Sequence, residues 1–447
     1  MNTMTPGEIA TMAQTAAPLS AENDRVRILF ADQLNLARGK YVPMSEARKG
    51  HARMCVGTYA VTYARTLVDA PGGGLLTGLP DMEARFDPDD LRPGWEPGTQ
   101  IALADMRFQG EAFALCGRSA LQRAIAGWRA HGLEPMVGIE MEAYIFQRGA
   151  GGEWVPYDTP GAFVYGTGPF TDPAGLVDDV WAMAARCGLP IESINAEFDA
   201  PQFELTLRYA DALRAADDAF LFRQMAREVL IRRGYLLSFL PKPFADKSGS
   251  GLHFNLSFTE ASGRNAFADD AANGAPSPLM AGCIAGLLQH HEALAAIMAP
   301  LTNSYARLQP ASLSGYWANW GIDHRSVTVR VSAETGAAAR IEHRMADCAA
   351  SPYFALAAML EAARLGFEGN YSCPAQELND GLETTNTERH TPHSLPQALD
   401  ALEADQVLSA ALGADMISNY IAIKRQEVAE LDGKTDAEAV AYYLHYI

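Results

Sequence analysis

The chain has 447 residues, 48% hydrophobic and 20% charged, ordinary for a globular protein and long enough for two domains. A net charge of -19 with no long basic run speaks against nucleic-acid or anionic-membrane partners. No apolar run reaches bilayer-spanning length, no basic-then-apolar leader opens the chain, and Cys55, Cys116, Cys187, Cys283, Cys348 and Cys373 form no C-x-x-C pair, which fits a reduced cytoplasm rather than a zinc or redox motif.

In chain order, the Ala/Thr-rich residues 1–21 are expected to be a loose helix or tail. Val26 to Leu34 reads as a strand, and Gly39 to Pro43 as a turn and second strand. Pro71-Gly72-Gly73-Gly74 lacks the Gly-Lys-Ser/Thr ending of a phosphate loop and reads as linker. Thr99–Met106 and Glu111–Cys116 are expected to pair as strands, so residues 22–110 look like a small β-rich domain. A helix over Ser119–His131 opens the second part, residues 111–447. Residues 147–172 form a long Gly/Pro/Thr-rich loop of the kind that is commonly functional. Helices are expected over Pro173–Cys187 and Tyr209–Arg233. Strands are expected at Glu192–Ala196, Gln202–Leu207, Leu236–Leu240, Leu252–Phe258, Val327–Val331 and Ala339–Arg344. Ser351-Pro352 is a helix start, because proline suits the first turn. The helix it begins, through Gly366, is apolar nearly all round and should be buried. The last 50 residues look helical.

The chemistry-bearing stretch is Gly138-Ile-Glu-Met-Glu142. Side chains two apart on a strand share a face. Glu140 and Glu142 therefore point one way, and Ile139, Met141, Ala143 and Ile145 the other. Two adjacent carboxylates suit either a solvated polar face or a divalent cation with hard oxygen ligands, Mg2+ or Mn2+. Glu197 to Glu204 adds two glutamates around a Pro-bearing bend. Ser248-Gly-Ser-Gly-Leu-His253-Phe-Asn255-Leu-Ser257 is a Gly-rich turn feeding a strand on which His253, Asn255 and Ser257 share a face. Arg325 and Arg330 flank one strand, Arg340, Glu342 and Arg344 alternate on another, and Asn303-Ser-Tyr-Ala-Arg307 follows a Pro-ended helix. Five glutamates and one imidazole match a site for several cations. Arginines beside them match phosphate and carboxylate recognition, because the planar fork pairs bidentately.

These motifs, in this order, resemble the glutamine synthetase family from about Val26 to the C-terminus. Gly-Ile-Glu-Met-Glu looks like its G-P-E-P-E, Glu197–Glu204 like H-E-…-G-Q-x-E, and Phe239-Leu-Pro-Lys-Pro243 with Gly249-Ser-Gly-Leu-His253 like F-M-P-K-P…G-S-G-M-H. Asn303–Leu308, Arg325…Arg330, and Arg340-Ile-Glu-His-Arg344 with Asp347 and Ser351-Pro-Tyr match the remaining signatures. The resemblance implies an α+β fold, with a β-grasp-like N-terminal domain and a C-terminal catalytic domain on a curved antiparallel sheet. It implies ATP and two or three Mg2+ or Mn2+ ions. Glu142, Glu197 and Glu204 would hold one ion, and Glu140, His253 and Glu342 another. Arg325, Arg330 and Arg340 would stabilise the transferring phosphoryl group. Arg307, Arg344, Gly249 and Ser248 fall at the glutamate site, and Glu192, Asn255 and Ser257 where the family contacts ATP. Asp32, in Phe30-Ala-Asp32, falls on an aspartate that serves the amine site of a neighbouring subunit, which implies a ring, a dodecamer of two stacked hexamers.

Several residues depart from the ammonia-using enzymes. Leu313 stands where a flap glutamate is usual, within an apolar, aromatic stretch. Asn195, Pro201, Ser248, Asn255, His324 and Asn35 are further departures, and residues 381–396 carry no tyrosine for adenylylation. Ser312-Leu-Ser-Gly315 and Ala398–Val407 look most like the family's γ-glutamylmethylamide synthetases (glutamate–methylamine ligases). The expectation is a ligase joining glutamate to a small alkylamine through γ-glutamyl phosphate. The alternatives are an ammonium-using glutamine synthetase, a non-catalytic assembly protein of the same fold, and a metal phosphatase.

Overall fold

The computed structural model describes residues 24–268 and 275–447; the expected tail at 1–21 lies outside them. Two small sheets come first. One has the order β2-β1-β6-β5, with β1 Arg25–Ala31, β2 Ala37–Pro43, β5 Arg92–Pro93 and β6 Thr99–Leu103, and β1 runs parallel to β6. The other has the order β3-β4-β7-β8, with β3 His51–Cys55, β4 Asp81–Arg85, β7 Asp105–Phe108 and β8 Glu111–Ala112. Val26, Ile28 and Phe30 on β1, Met82 and Ala84 on β4, and Met106 on β7 close a hydrophobic cluster between them.

The second part is built on a nine-stranded sheet. Its path is β11-β12-β9-β14-β17-β16-β15, where β9 is Leu133–Arg148, β11 Ile191–Ala196, β12 Gln202–Asp211, β14 Leu252–Glu260, β15 Trp320–Ile322, β16 Val329–Val331 and β17 Ile341–His343. Two short strands, β10 Trp154–Pro156 and β13 Leu236–Ser238, pair with the far end of β9. Ile139, Met141, Ala143 and Ile145 on β9 are buried against the core, as their alternation requires. The helix Pro352–Glu368 starts on its proline and is buried nearly all round. It packs on the helices Gly117–Arg129 and Pro278–Gln289, and the indole of Trp128 donates to the Leu360 carbonyl. Helices Leu395–Ala404, Gln406–Leu412, Ala414–Glu430 and Asp436–Tyr443 complete the C-terminal region.

Charged pairs fasten the two parts. Buried Asp218, on the helix Ala212–Arg232, accepts from Arg92 of the first part, and Arg118, held by buried Asp217 of the same helix, also donates to Asp105 of the first part. Glu228 of the same helix takes both η nitrogens of Arg27 and the indole of Trp95.

Element ends differ from expectation where capping and packing decide them. Glu111–Cys116 is not one strand: pairing stops at Ala112, Phe113 donates back to the Met106 carbonyl, and Cys116 is already the N-cap of the next helix. The helix expected from Tyr209 begins at Ala212, because β12 runs on to Asp211 and that carboxylate caps the Arg214 amide. Within 147–172, Trp154–Pro156 pairs with β9, and Arg148 lies 3.6 Å over the Trp154 ring. All six cysteines are free thiols, and no helix among the described residues is long and apolar enough to cross a membrane.

The helices Pro278–Gln289 and Pro352–Glu368 approach closely at Gly286. A methyl group there would lie 2.0 Å from the Ala362 carbonyl oxygen and 2.9 Å from the backbone of Gly366. Gly286→Ala is therefore expected to lower the urea midpoint by an amount worth about 2 kcal/mol, within the range of core overpacking. An unchanged midpoint would show that the two helices part freely.

Candidate active site

Register carries the candidate ligands into contact. On β9 and β12, Glu142 faces Glu204 directly; on β9 and β14, Glu140 faces His253; on β14 and β17, Asn255 faces Glu342; and on β16 and β17, Arg330 faces Glu342. Period-two alternation then places these side chains on one face. Two triads result, Glu140–His253–Glu342 and Glu142–Glu197–Glu204, each with ligand atoms within 4.8 Å of one another. They are the two sets grouped by the family resemblance.

His253 sits between the triads. Its Nδ1 is 3.3 Å from Glu140 and 3.5 Å from Glu342, and its Nε2 is 3.9 Å from Glu142. Burial and the nearby Arg344 charge press its pKa down, but the Glu140 hydrogen bond and the charges of Glu142 and Glu342 prevail and leave it raised. Burial also works against ionised Glu140, yet His253 and the Asn255 amide, donating at 2.8 Å, hold its pKa down to about 2. Glu204 has no such donor. Burial, then the charges of Glu140 and Glu197, push it up to about 7. Burial and Glu142 likewise raise Glu197. Like charges directly opposite on paired strands are destabilising. The second triad is thus a set of hard oxygen donors that only His253, 3.9 Å from Glu142, offsets weakly, which fits a divalent cation.

The Gly-rich turn passes tightly over Arg307. A methyl group at Gly249 would lie 2.6 Å from the Arg307 Cγ, and one at Gly251 would lie 2.8 Å from His253 Nε2. Only glycine lets the backbone pass between those side chains. Arg307 is buried and donates to the carbonyls of Met345 (2.7 Å) and Arg344 (3.1 Å). Arg344 donates to Glu342 and to the Leu313 carbonyl at 3.3 Å. Arg330 divides its fork between Glu342, at 3.0 Å, and Asp323.

Other expected residues lie apart from the triads. Arg340 is exposed enough to pair with Glu334 in the adjoining turn, and Arg325 is exposed, its charge felt at Asp323. Glu192 is exposed on β11 and Ser257 half-buried on β14. The Ser248 hydroxyl donates to Asp199 at 2.7 Å. Asp32 is held within its own chain. It is 2% exposed, and its oxygens accept from the amides of Leu34 and Leu36 and from Arg38 of its own chain. Burial pushes its pKa up although Arg38 opposes this. It closes a turn.

Two residues went unread in the sequence. Buried Gln202 donates through Nε2 to the Gly249 carbonyl and Ser250 hydroxyl, both at 3.0 Å, and lies 3.4 Å from Glu142. Its position two before Glu204, on the same face, was the available signal. Asp199 had none, because its partner is 49 residues away in the chain.

Residues 114–443 match the family model for the glutamine synthetase catalytic domain. The gamma-glutamylpolyamine synthetase GlnA3 of Streptomyces coelicolor is 28% identical, over 98% of this chain and 97% of its own. The glutamine synthetase of Clostridium saccharobutylicum is 31% identical, over 69% of this chain and 71% of its own. The structure of apo GmaS is similar with a TM-score of 0.80 at 27% identity, covering 97% of this chain and 98% of that one. The chain belongs to the glutamine synthetase family. It has that family's fold and is an ATP-dependent glutamate ligase of the carbon–nitrogen class.

Because Glu204 in the metal-free protein keeps its proton up to about pH 7, a cation at that triad must displace a proton below that pH. Mn2+ affinity is expected to rise from about pH 6 to about pH 8, with proton release largest at the acid end. Titration calorimetry in buffers of different ionisation heat measures both. An affinity independent of pH would break the link between this carboxyl and the cation.

Proposed function

We propose that this ligase joins the γ-carboxylate of L-glutamate to a small alkylamine, with methylamine favoured, through γ-glutamyl phosphate. The observation that carries the reading is Leu313. It occupies the flap position expected to hold a glutamate, its carbonyl is bonded to Arg344 beside Glu342, and its side chain is 50% exposed. An uncharged flap gives an ammonium ion no counter-charge, while a leucine side chain offers contact to a methyl group. The similarity to GmaS, a gamma-glutamylmethylamide synthetase, and to a gamma-glutamylpolyamine synthetase supports an amine larger than ammonia. Ammonium and polyamines are the competing substrates.

In this reading the two triads hold Mg2+ or Mn2+, two or three ions per site, which when bound neutralise charge on the phosphates. Arg330 and Arg340 turn from Asp323 and Glu334 towards the transferring phosphoryl group, joined by Arg325. These exposed pairs are weak enough to exchange. Gly249 and Arg307 form the glutamate site with Ser248 and Arg344, and Glu192, Asn255 and Ser257 lie towards ATP. The γ-carboxylate attacks in line, ADP leaves, and the amine displaces phosphate from the acyl phosphate. Electrostatic preorganisation supplies most of the acceleration. We take residues 22–110 and 111–447 as the domains and a dodecameric ring as the assembly. Asp32 is taken as the residue lent to the amine site of a neighbouring subunit.

Phosphate release with ATP and glutamate, measured against methylamine, ammonium and a diamine, tests the proposal. Methylamine is expected to give the highest kcat/KM; ammonium ahead by a wide margin would overturn it. Leu313→Glu is expected to move the methylamine-to-ammonium ratio towards ammonium by about fourfold or more, the worth of one buried methyl group. A ratio that stays put would take the flap out of amine selection.

A further inference from the structure

The turn joining the two second-triad glutamates reaches across to the Gly-rich loop through one carboxylate. Asp199 lies between Glu197 and Glu204. Its turn is closed by the Gln202 amide on the Asp199 carbonyl (2.9 Å) and the Glu197 amide on the Gln202 carbonyl (2.9 Å). The Ile145 amide donates to the Pro201 carbonyl at 3.1 Å and pins the turn to β9. From this fixed base, one Asp199 oxygen accepts from both the Ser248 amide and the Ser248 hydroxyl. The Ser248 carbonyl is held from the other side by the Tyr144 hydroxyl at 2.8 Å. Beyond Ser248 the loop is held by Gln202 on Gly249 and by the Ser250 amide on the Pro241 carbonyl. Before Ser248, Ala245 and Asp246 are exposed.

We infer that Asp199 is a positioning residue for the amino-acid substrate. It sets the place of Ser248 and Gly249 over Arg307 and ties that loop to the carboxylates of the second triad. This rests on reading Ser248, Gly249 and Arg307 as the glutamate site. Asp199 acts through Ser248 and does not touch substrate. A bond to a charged acceptor is stronger than a neutral one, and here two donors converge on a single oxygen. Loss of the carboxylate frees the exposed stretch before Ser248 and lets Gly249 lift from Arg307.

The test uses Asp199→Ala and Asp199→Asn in the full chain. Asparagine keeps a carbonyl oxygen with two lone pairs and can still take both donors without the charge. Asp199→Ala is expected to raise KM for glutamate about tenfold, the scale of one or two lost bonds to a charged group, with KM for ATP and the melting temperature little changed. Asp199→Asn is expected to recover most of that loss. An unchanged KM for glutamate in Asp199→Ala would overturn the inference. So would an equal rise in KM for ATP, or an asparagine variant as impaired as alanine. Hydrogen–deuterium exchange over residues 244–250 reads the same contact without turnover, and is expected to speed up in Asp199→Ala. Unaltered exchange there would also overturn it. If the wild-type enzyme showed no glutamate-dependent ADP formation, the parent reading would fall, while the exchange experiment would still decide whether Asp199 holds the loop.

Discussion

Everything at the candidate site follows from a repulsion that the strand register enforces. Glu142 and Glu204 stand opposite each other on β9 and β12, with Glu197 beside them and Glu140 one step away on the same face. The sheet cannot relieve this by slipping. A one-residue shift would turn Ile139, Met141 and Ala143 out of the core and drive the carboxylates in. The apolar face thus locks the acidic face in place. The nearby positive groups, His253, Arg330 and Arg344, lie towards Glu140 and Glu342. This division explains why Glu140 is strongly ionised while Glu204 holds its proton to about 7.

The same asymmetry gives the two triads different characters. The first is compensated internally by an imidazole and two guanidinium groups. The second is a concentration of negative potential softened by backbone amides, Gln202 and the more distant His253. Cations bind most strongly where potential is most negative and ligands are already assembled.

Much of this was legible in the primary structure, for a definite reason. Strand periodicity is rigid, so Glu140 with Glu142, and Arg340 with Glu342 and Arg344, could be placed on faces from spacing alone, and the order of motifs supplied the grouping into triads. What spacing could not supply was direction at tertiary contacts. Asp32 carries a motif but turns inward onto Leu34, Leu36 and Arg38, a choice made by a local turn. Arg325 and Arg330 flank one strand, yet only Arg330 lies against Glu342. Asp199 meets Ser248 only because two loops far apart in the chain converge. Strand and helix ends moved by a few residues wherever a cap, such as Asp211, or a buried side chain, such as Phe113, set the limit.

Arg344 has a consequence of its own. One nitrogen of its fork serves Glu342, and another holds the backbone at Leu313. A cation at Glu342 would weaken that carboxylate's claim on Arg344 and so alter the hold of Arg344 on the Leu313 segment. Occupation of the inner triad and the placing of the Leu313 segment would thereby be coupled through one guanidinium, and whatever the sign of that coupling it is the same free energy seen from either end.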